Sequence, residues 1–516
     1  PVPKMPLRNY VGLQAGKAGE LYLHEAPAVA PAEAEEDSGP LHRYVLADRK
    51  SEKLADDVAD VHVSADGTKL LVRMGKTWAI ADATKPVPAG GGEGKLKTDT
   101  IELRVDPRAE WRQMYREAWR LQRDFFYDPG FHGLDLAATE KKYEPYLLGL
   151  AHRDELNELF VEALGNLSVG HLYVSGGDLP KAPEVKGGLL GADWEIANGR
   201  YRIARILGAE VWNPELEAPL ARPGVGAKAG EYLVQVEGRD VRPPASVHSF
   251  FEGTAGTAVR IRLAADPEGK SGVRDVTVVP VADERRLRYR AWAEDNRRAV
   301  EKLSKGRLGY VHLPNTGQSG YQSFNRYFFS QLDREGLVVD ERNNGGGLVA
   351  DYMVDVLGRR TPRLWVATRE GMDFPSPAGA LYGPKVMLID RHAGSGGDAL
   401  PWMFREMKLG PIIGTRTWGG LVGIWDYPPL ADGGRVTAPR GALFGPRGKW
   451  EIENIGVSPD IEIEVMPADF ASGRDPQLEK AVEVLMAELA RNPRPKPRRP
   501  EYPDYQVTPW RSEAKQ

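Results

Sequence analysis

The chain has no cysteine among its 516 residues, which excludes disulfides, thiolate catalysis and cysteine-bound metals and suits a reducing, cytoplasmic setting. Neither sign of charge dominates: 69 Lys and Arg face 73 Asp and Glu, a formal net charge of -4. Such a balance gives no pull toward nucleic acid or an anionic membrane, so peptides or small molecules are the expected partners. No apolar run approaches membrane-spanning length. No histidine and carboxylate spacing on one helix resembles a ligand set, so no metal and no cofactor is expected. The start, Pro1-Val2-Pro3-Lys4, carries neither an initiator methionine nor the apolar stretch of a signal peptide, and Pro1 is not taken as the native start. At this length three or four domains are expected rather than one core.

What the chain does have is a succession of distinct patterns. Up to about residue 100, short alternating segments recur at 20–24, 43–47, 61–72 and 77–80, the third broken by Ala65-Asp66-Gly67. A period of two marks strands, and an Asp-Gly turn between two of them marks a hairpin. The recurrence resembles the closing blades of a β-propeller, with a small independent β domain as the plainer alternative. Residues 28–39, heavy in Ala, Pro and Glu, read as a mobile loop, and residues 86–94 as a linker. From Asp106 the period lengthens: Trp111, Met114, Tyr115, Ala118, Trp119 and Gln122 follow Asp106-Pro107 at helical steps. A second helix, about residues 154–164, stops at Gly165, and Ser168-Val169-Gly170-His171 leads into a strand that begins at His171.

Residues 183–283 return to strands, opening on Gly187-Gly188-Leu189-Leu190-Gly191, and resemble a PDZ domain. Its glycine-rich entrance would offer backbone amides to a peptide carboxylate beside an open strand edge, unless the glycines only shape a tight turn. Residues 284–490 alternate strand and helix as an α/β layer does. Two of its strands, at 337–340 and 386–389, are apolar enough to be buried on both faces, and each runs into a glycine turn. The first is Asn343-Asn344-Gly345-Gly346-Gly347, a run able to present N–H groups as an anion nest. The second is Asp390-Arg391-His392-Ala393-Gly394-Ser395-Gly396-Gly397-Asp398. It sets Ser395 before a helix, where free N–H groups and the positive end of the dipole favour an oxyanion. The plainer reading of Ser395 is a helix cap. If the two strands are parallel neighbours, both turns open on one edge.

With Ile412-Ile413-Gly414-Thr415-Arg416-Thr417-Trp418-Gly419-Gly420 and Glu453-Asn454-Ile455-Gly456-Val457-Ser458-Pro459-Asp460, these turns make an ordered set of motifs. The set resembles the tricorn proteases, relatives of the tail-specific and C-terminal-processing serine peptidases. That resemblance implies a multidomain α+β chain: a partial β-propeller end (1–100), a helical subdomain (101–182), a PDZ-like domain (183–283), an α/β crotonase-like catalytic domain (284–490) and a Pro/Arg-rich tail (491–516). Complete members are about twice this length, so the chain resembles their C-terminal half. The resemblance further implies a cytoplasmic homo-oligomer, a hexamer, acting on peptides. It assigns Ser395 as nucleophile, His171 as general base and Glu453 as the acid supporting the histidine. Backbone N–H groups of Gly396 and Gly346 are the expected oxyanion donors. A serine hydroxyl needs such a base, and the base a third group to orient it.

One position departs from the family pattern: a serine normally precedes the histidine and bridges it to the glutamate, and Gly170 stands there. Ser168 is a poor substitute, since alternation along an extended segment would turn it away. A peptide-binding scaffold that keeps the fold without turnover is the alternative from another class. Glu370 and Asp373, ahead of the nucleophile strand, are candidate receivers of a basic substrate side chain, with solvated loop acids as the plainer reading. The stretch 492–500 is basic and proline-rich and would run extended along a neighbouring subunit or stay disordered.

Overall fold

The change of sequence period at Asp106 coincides with a physical boundary: the computed structural model divides into one unit, Pro1–Asp106, and a second, Pro107–Gln516. It describes residues 8–26, 38–208, 216–360, 363–425, 427–493 and 498–503. In the first unit β1 (Tyr10–Ala15), β2 (Glu20–Glu25), β3 (Gly39–Val45) and β4 (Lys50–Val58) form an antiparallel sheet in sequence order. A second antiparallel sheet follows from β5 (Asp60–Val63), β6 (Lys69–Met74) and β7 (Thr77–Asp82). Alternation sends Tyr22, Leu41, Leu54, Val61, Leu70 and Val72 into one core. Asp66 shapes the β5–β6 turn by accepting the Ser64 hydroxyl and the Thr68 N–H, which lower its pKa to about 2.

The stretch expected as a linker, residues 86–94, is instead docked. Val87 donates its N–H to Leu54 O (2.7 Å), and Gly91, at φ 86, lies where a Cβ would stand 2.5 Å from the Ala79 methyl. Its Pro and Gly content reflects tight packing, not slack. Residues 28–37 of the expected loop lie outside the described residues.

The second unit begins with α1 (Pro107–Phe125), α2 (Leu136–Tyr143) and α3 (Arg153–Leu164), whose core is Met114, Tyr115, Ala118, Trp119, Leu156 and Phe160. The strand expected from His171 is only β8 (Val174–Ser175); His171 precedes it in a left-handed conformation, φ 58. Next come β9 (Ala192–Ala197), β10 (Arg200–Ile206), β11 (Tyr232–Val236), β12 (Arg239–Asp240), β13 (Val259–Ala264) and β14 (Arg274–Val278). They pair in the order β14-β13-β11-β10-β9, with β12 on β11, so β9 is an edge.

The third part is layered. It contains α4 (Arg285–Leu303), β15 (Leu308–His312), α5 (Gln318–Phe329), β16 (Gly336–Asp340) and α6 (Ala350–Leu357), then the hairpin β17 (Leu364–Val366) and β18 (Phe374–Ser376). After these follow β19 (Lys385–Ile389), α7 (Gly396–Glu406), β20 (Ile412–Gly414), β21 (Val422–Gly423), β22 (Arg435–Val436), β23 (Gly441–Ala442), β24 (Ile461–Glu462), α8 (Pro467–Ala471) and α9 (Pro476–Arg491). A parallel sheet ordered β15-β16-β19-β20-β24 forms the middle layer. Because side chains alternate along each strand, Val311, Val339 and Met387 pack with residues of α5, α6 and α7. Tyr310, Val338 and Leu388 pack with α4 and α9 on the other face.

The helical part is fastened to the loop between β21 and β22 by an ion pair. Arg153 Nε donates to Asp432 Oδ2 at 2.5 Å, with side chains only 4% and 6% exposed. Burial pushes the Asp432 carboxyl up, but the Arg153 hydrogen bond and the N–H groups of Asp178 and Gly434 prevail and hold it low. Removing one partner strands a buried charge. Arg153→Ala is expected to cost roughly 3 kcal/mol in denaturant unfolding, more than Arg153→Lys, which keeps the charge.

Candidate active site

β16 and β19 are parallel neighbours, with Asp340 opposite Leu388, so the turns that follow them leave the sheet at the same edge. They are stitched together: Asn343 N–H donates to Asp390 Oδ1 (2.9 Å) and Gly394 N–H to Asn344 O (3.0 Å). Below them Arg342 donates to both oxygens of the fully buried Asp340, at 2.9 and 2.6 Å. Burial raises the Asp340 carboxyl, and the guanidinium outweighs it and holds it below its usual range. Glu341, between them, is also fully buried and its Oε1 has no partner. Burial, then the carboxylates of Asp398, Asp390 and Asp340, push it well above the usual range.

Ser395 stands at the head of α7 with φ 57 and ψ -116. A serine that only capped a helix would sit in the extended region. This conformation costs a non-glycine residue about 1–3 kcal/mol and persists only where its surroundings impose it. Here the imposing group is Asp398, fully buried one turn into the helix. Its Oδ2 accepts the N–H groups of Ser395 (2.9 Å) and Gly420 (3.1 Å), and its Oδ1 accepts Gly419 N–H (2.8 Å) and the Thr417 hydroxyl. Burial raises the Asp398 pKa while these donors pull against it. Ser395 N–H is shared with Gly420 O at 3.0 Å.

Two glycines are required by space. A Cβ on Gly396 would stand 1.9 Å from Thr316 Oγ1, and one on Gly346 would stand 2.6 Å from Ser395 Cβ and 3.1 Å from its Oγ. The N–H of Gly346, expected as the second oxyanion donor, is engaged with Asn344 Oδ1 at 2.9 Å. Among the described residues the N–H groups of Gly396 and of Gly347 make no hydrogen bond. A Cβ on Gly396 would stand 2.8 Å from Gly347 N, so these two unpaired groups are neighbours. The correction is local: the Asn344 side chain folds back on the residue two positions later, an Asx turn, and leaves the next amide free.

His171 is 8% exposed, and its Nδ1 is buried without a partner. Its ring lies 5.2 Å from that of Trp418, and a Cβ on Gly394 would be 2.6 Å from the same indole. Trp418 therefore packs against both the histidine and the serine turn. Glu453 makes no hydrogen bond to the imidazole. Its Oε1 accepts Gly170 N–H (2.7 Å) and its Oε2 accepts Leu421 N–H (2.6 Å). Burial lowers the His171 pKa, and the Glu453 charge opposes this. Ser168 is left-handed, φ 51, so strand alternation does not apply to it; its carbonyl accepts Asn454 Nδ2 at 2.8 Å.

Glu370 and Asp373 lie between β17 and β18 and make no ion pair or hydrogen bond with the Ser395 turn. Asp373 is occupied by the Arg499 guanidinium, which also donates to Thr368 O at 2.9 Å. Asp373 is thus no free acid awaiting a basic substrate. Residues 494–497 of the tail lie outside the described residues. Asp398, Asn344, Trp418 and Thr316, whose buried Oγ1 has no partner, are site residues that sequence reasoning left without a role. Only Asp398 had a local signal, three residues after a helix-capping serine.

The Peptidase family S41 model matches residues 307–463, the Tricorn protease PDZ domain model residues 188–283 and the Tricorn protease C1 domain model residues 107–165. Tricorn protease homolog 1 of Streptomyces coelicolor is 37% identical over 500 residues, 94% of this chain and 46% of that protein. The tricorn protease of Thermoplasma acidophilum is 33% identical over 470 residues, 90% of this chain and 43% of that protein. A crystal structure of the tricorn protease aligns with TM-score 0.86 and 29% identity over 93% of this chain and 47% of that one. This chain belongs to the tricorn protease family. It spans about half the length of these relatives. Within the tricorn frame the match in the C1, PDZ and S41 regions follows the chain order seen here, and among the described residues no helix is long and apolar enough to cross a membrane.

The Asp398 contacts generate a test. Asp398→Ala leaves three buried N–H groups without their carboxylate, each worth about 1–3 kcal/mol. A lower thermal midpoint is expected, and slower labelling of Ser395 by a fluorophosphonate in the fraction that stays folded; Asp398→Asn should retain more of both.

Proposed function

We propose that this chain is a tricorn-type serine peptidase that hydrolyses short peptides through an acyl-enzyme at Ser395. The observation that carries the reading is a strained serine at a helix N-terminus beside two unpaired amides, with a buried histidine on the Trp418 ring and a half-buried glutamate on the Gly170 amide. Ser395 Oγ attacks the peptide carbonyl carbon while His171 accepts its proton. The oxyanion accepts from the N–H groups of Gly396 and Gly347; loss of one such donor typically costs ~100-fold in turnover. Collapse breaks the C–N bond as His171 returns the proton to the leaving amine, and water deprotonated by His171 then hydrolyses the ester. Glu453 acts on the histidine by its charge and by holding the Gly170 peptide. Contacts of this kind tighten when substrate binds, so the lack of a Ser395–His171 hydrogen bond in the free protein is compatible with the role.

A mostly apolar cleft opens on the helix that follows Ser395. Ala399, one helical turn after Ser395, lines it with Trp402, Met403, Leu421, Phe444, Ile452 and Glu451, whose carboxylate is already taken by Trp402 Nε1 (3.0 Å) and Arg447. That lining favours an apolar substrate side chain over the basic one that Asp373 would have received. The remaining organisation is part of the same proposal: the antiparallel sheets of the first unit as the closing part of a β-propeller, a crotonase-like catalytic domain, and a cytoplasmic homohexamer by family resemblance. The scaffold reading draws on Gly170 and on the missing Ser395–His171 hydrogen bond.

Two experiments separate these readings. A fluorophosphonate should label the native protein but neither denatured protein nor Ser395→Ala, and native protein that never labels would leave only the scaffold. Because burial depresses His171, the labelling rate should fall only below the ordinary histidine value of 6.5 as pH is lowered. Gly170→Ser should raise peptide turnover. A Cβ there would stand 3.1 Å from both Glu453 Oε1 and Gly420 Cα, so the neighbours need give only slightly to seat a bridging hydroxyl. Unchanged turnover in a folded variant would make the position irrelevant.

A further inference from the structure

The glycine-rich entrance of the PDZ domain leads straight into β9, the open edge of its sheet. A peptide that adds to such an edge delivers its C-terminal carboxylate to the amides of the preceding loop. Here a carboxylate is already present. Gly191 N–H donates to Glu284 Oε2 at 2.9 Å, and Glu284 is 7% exposed. Glu284 immediately precedes α4, yet its side chain makes no capping hydrogen bond to that helix.

The same helix covers the start of the edge strand. Arg288, one turn on, binds Glu284 Oε1 through Nε at 2.8 Å, Asp193 Oδ1 through Nη1 at 2.6 Å and the Ala192 carbonyl through Nη2 at 3.3 Å. Ala192 and Asp193 are the first residues of β9. Beneath them Leu287 and Ala291 of α4 pack with Leu207, Leu216 and Ala218 of the PDZ side. Lys186, Gly187, Leu189, Glu284 and Arg288 also line one solvent-open cleft, so the Glu284 side of the contact borders solvent.

We infer that the PDZ domain carries its own ligand: Glu284 fills the carboxylate site at Gly191 and masks a binding site for peptides ending in a free carboxylate. Glu284 and a peptide C-terminus compete for the same amide, and Arg288 holds Glu284 in place. In the closed state the domain serves as a rigid spacer on α4. Opened, it takes a C-terminus on the Gly191 loop and a strand along β9. The inference concerns binding and stands whether or not Ser395 is a nucleophile.

The test uses the full chain carrying Ser395→Ala, so that no probe is consumed. A short fluorescein-labelled peptide ending in free valine, and the same peptide as its C-terminal amide, are titrated by fluorescence polarisation against Glu284, Glu284→Gln and Glu284→Ala forms. The parent should not distinguish acid from amide. Glu284→Ala should bind the acid roughly tenfold or more tighter than the amide, the weight of a hydrogen bond to a charged acceptor. Glu284→Gln, which keeps an acceptor for Gly191 but loses the charge, should fall between them. Binding at the active site would not depend on the terminal carboxylate, so the acid-to-amide ratio isolates the loop. Amide hydrogen exchange of Gly191 gives a second readout: slow in the parent, faster in Glu284→Ala and slowed again by the acid peptide. A parent that already prefers the acid tenfold, or a folded Glu284→Ala with no preference and no change in Gly191 exchange, would overturn the inference.

Discussion

The Asp398 carboxylate is the contact on which the rest of the site depends. It lies in α7, accepts the N–H of Ser395, and accepts three further donors from residues 417–420. Those residues in turn meet the Glu453 loop: Asn454 N–H donates to Gly419 O (2.7 Å) and Val457 N–H to Thr417 Oγ1 (2.8 Å). Leu421 N–H then fixes Glu453 itself at 2.6 Å. One buried charge with every lone pair occupied can therefore hold three separate segments in register, because leaving any of those donors unpaired in a dry interior is costly.

The strain at Ser395 makes sense within that network. A backbone conformation unfavourable for serine is kept because its N–H has two acceptors and because Gly346, Gly394 and Gly396 allow neighbouring chain to close in where no side chain would fit. His171, the proposed general base, is held differently. His171 comes from the loop after the helical part, and it is positioned by Trp418 against its ring and by Thr437 Oγ1 donating to its carbonyl at 2.6 Å. The acid reaches it only through the Gly170 peptide, so charge rather than a hydrogen bond is what Glu453 supplies.

Several features were legible residue by residue. Gly-Gly-Gly and Gly-Ser-Gly-Gly runs after doubly apolar strands announce turns at one edge of a parallel sheet, and that inference needs no distant contact. The alternation of the first hundred residues and the helical steps from Trp111 are local in the same sense. Where the structure departs from the sequence reading, the deciding partner lies far along the chain or in a side chain that folds back, as Asn344 does on Gly346. Residues 86–94 look like a linker until Leu54 and Ala79 are beside them. Asp373 looks like a free acid until Arg499 pairs with it.

The sequence by itself determined the kinds of element, the order of the motifs and the family that their order identifies, because periodicity and turn chemistry act over a few residues. Only the tertiary structure decided which amide is free to bind an oxyanion, which carboxylate is already taken and how the glutamate reaches the histidine. Those depend on which hydrogen-bond partners the fold supplies, from Asn344 and Gly346, two positions apart, to Gly170 and Glu453, 283 apart. A buried donor or acceptor has few possible partners, and sequence spacing does not say which of them the fold will supply.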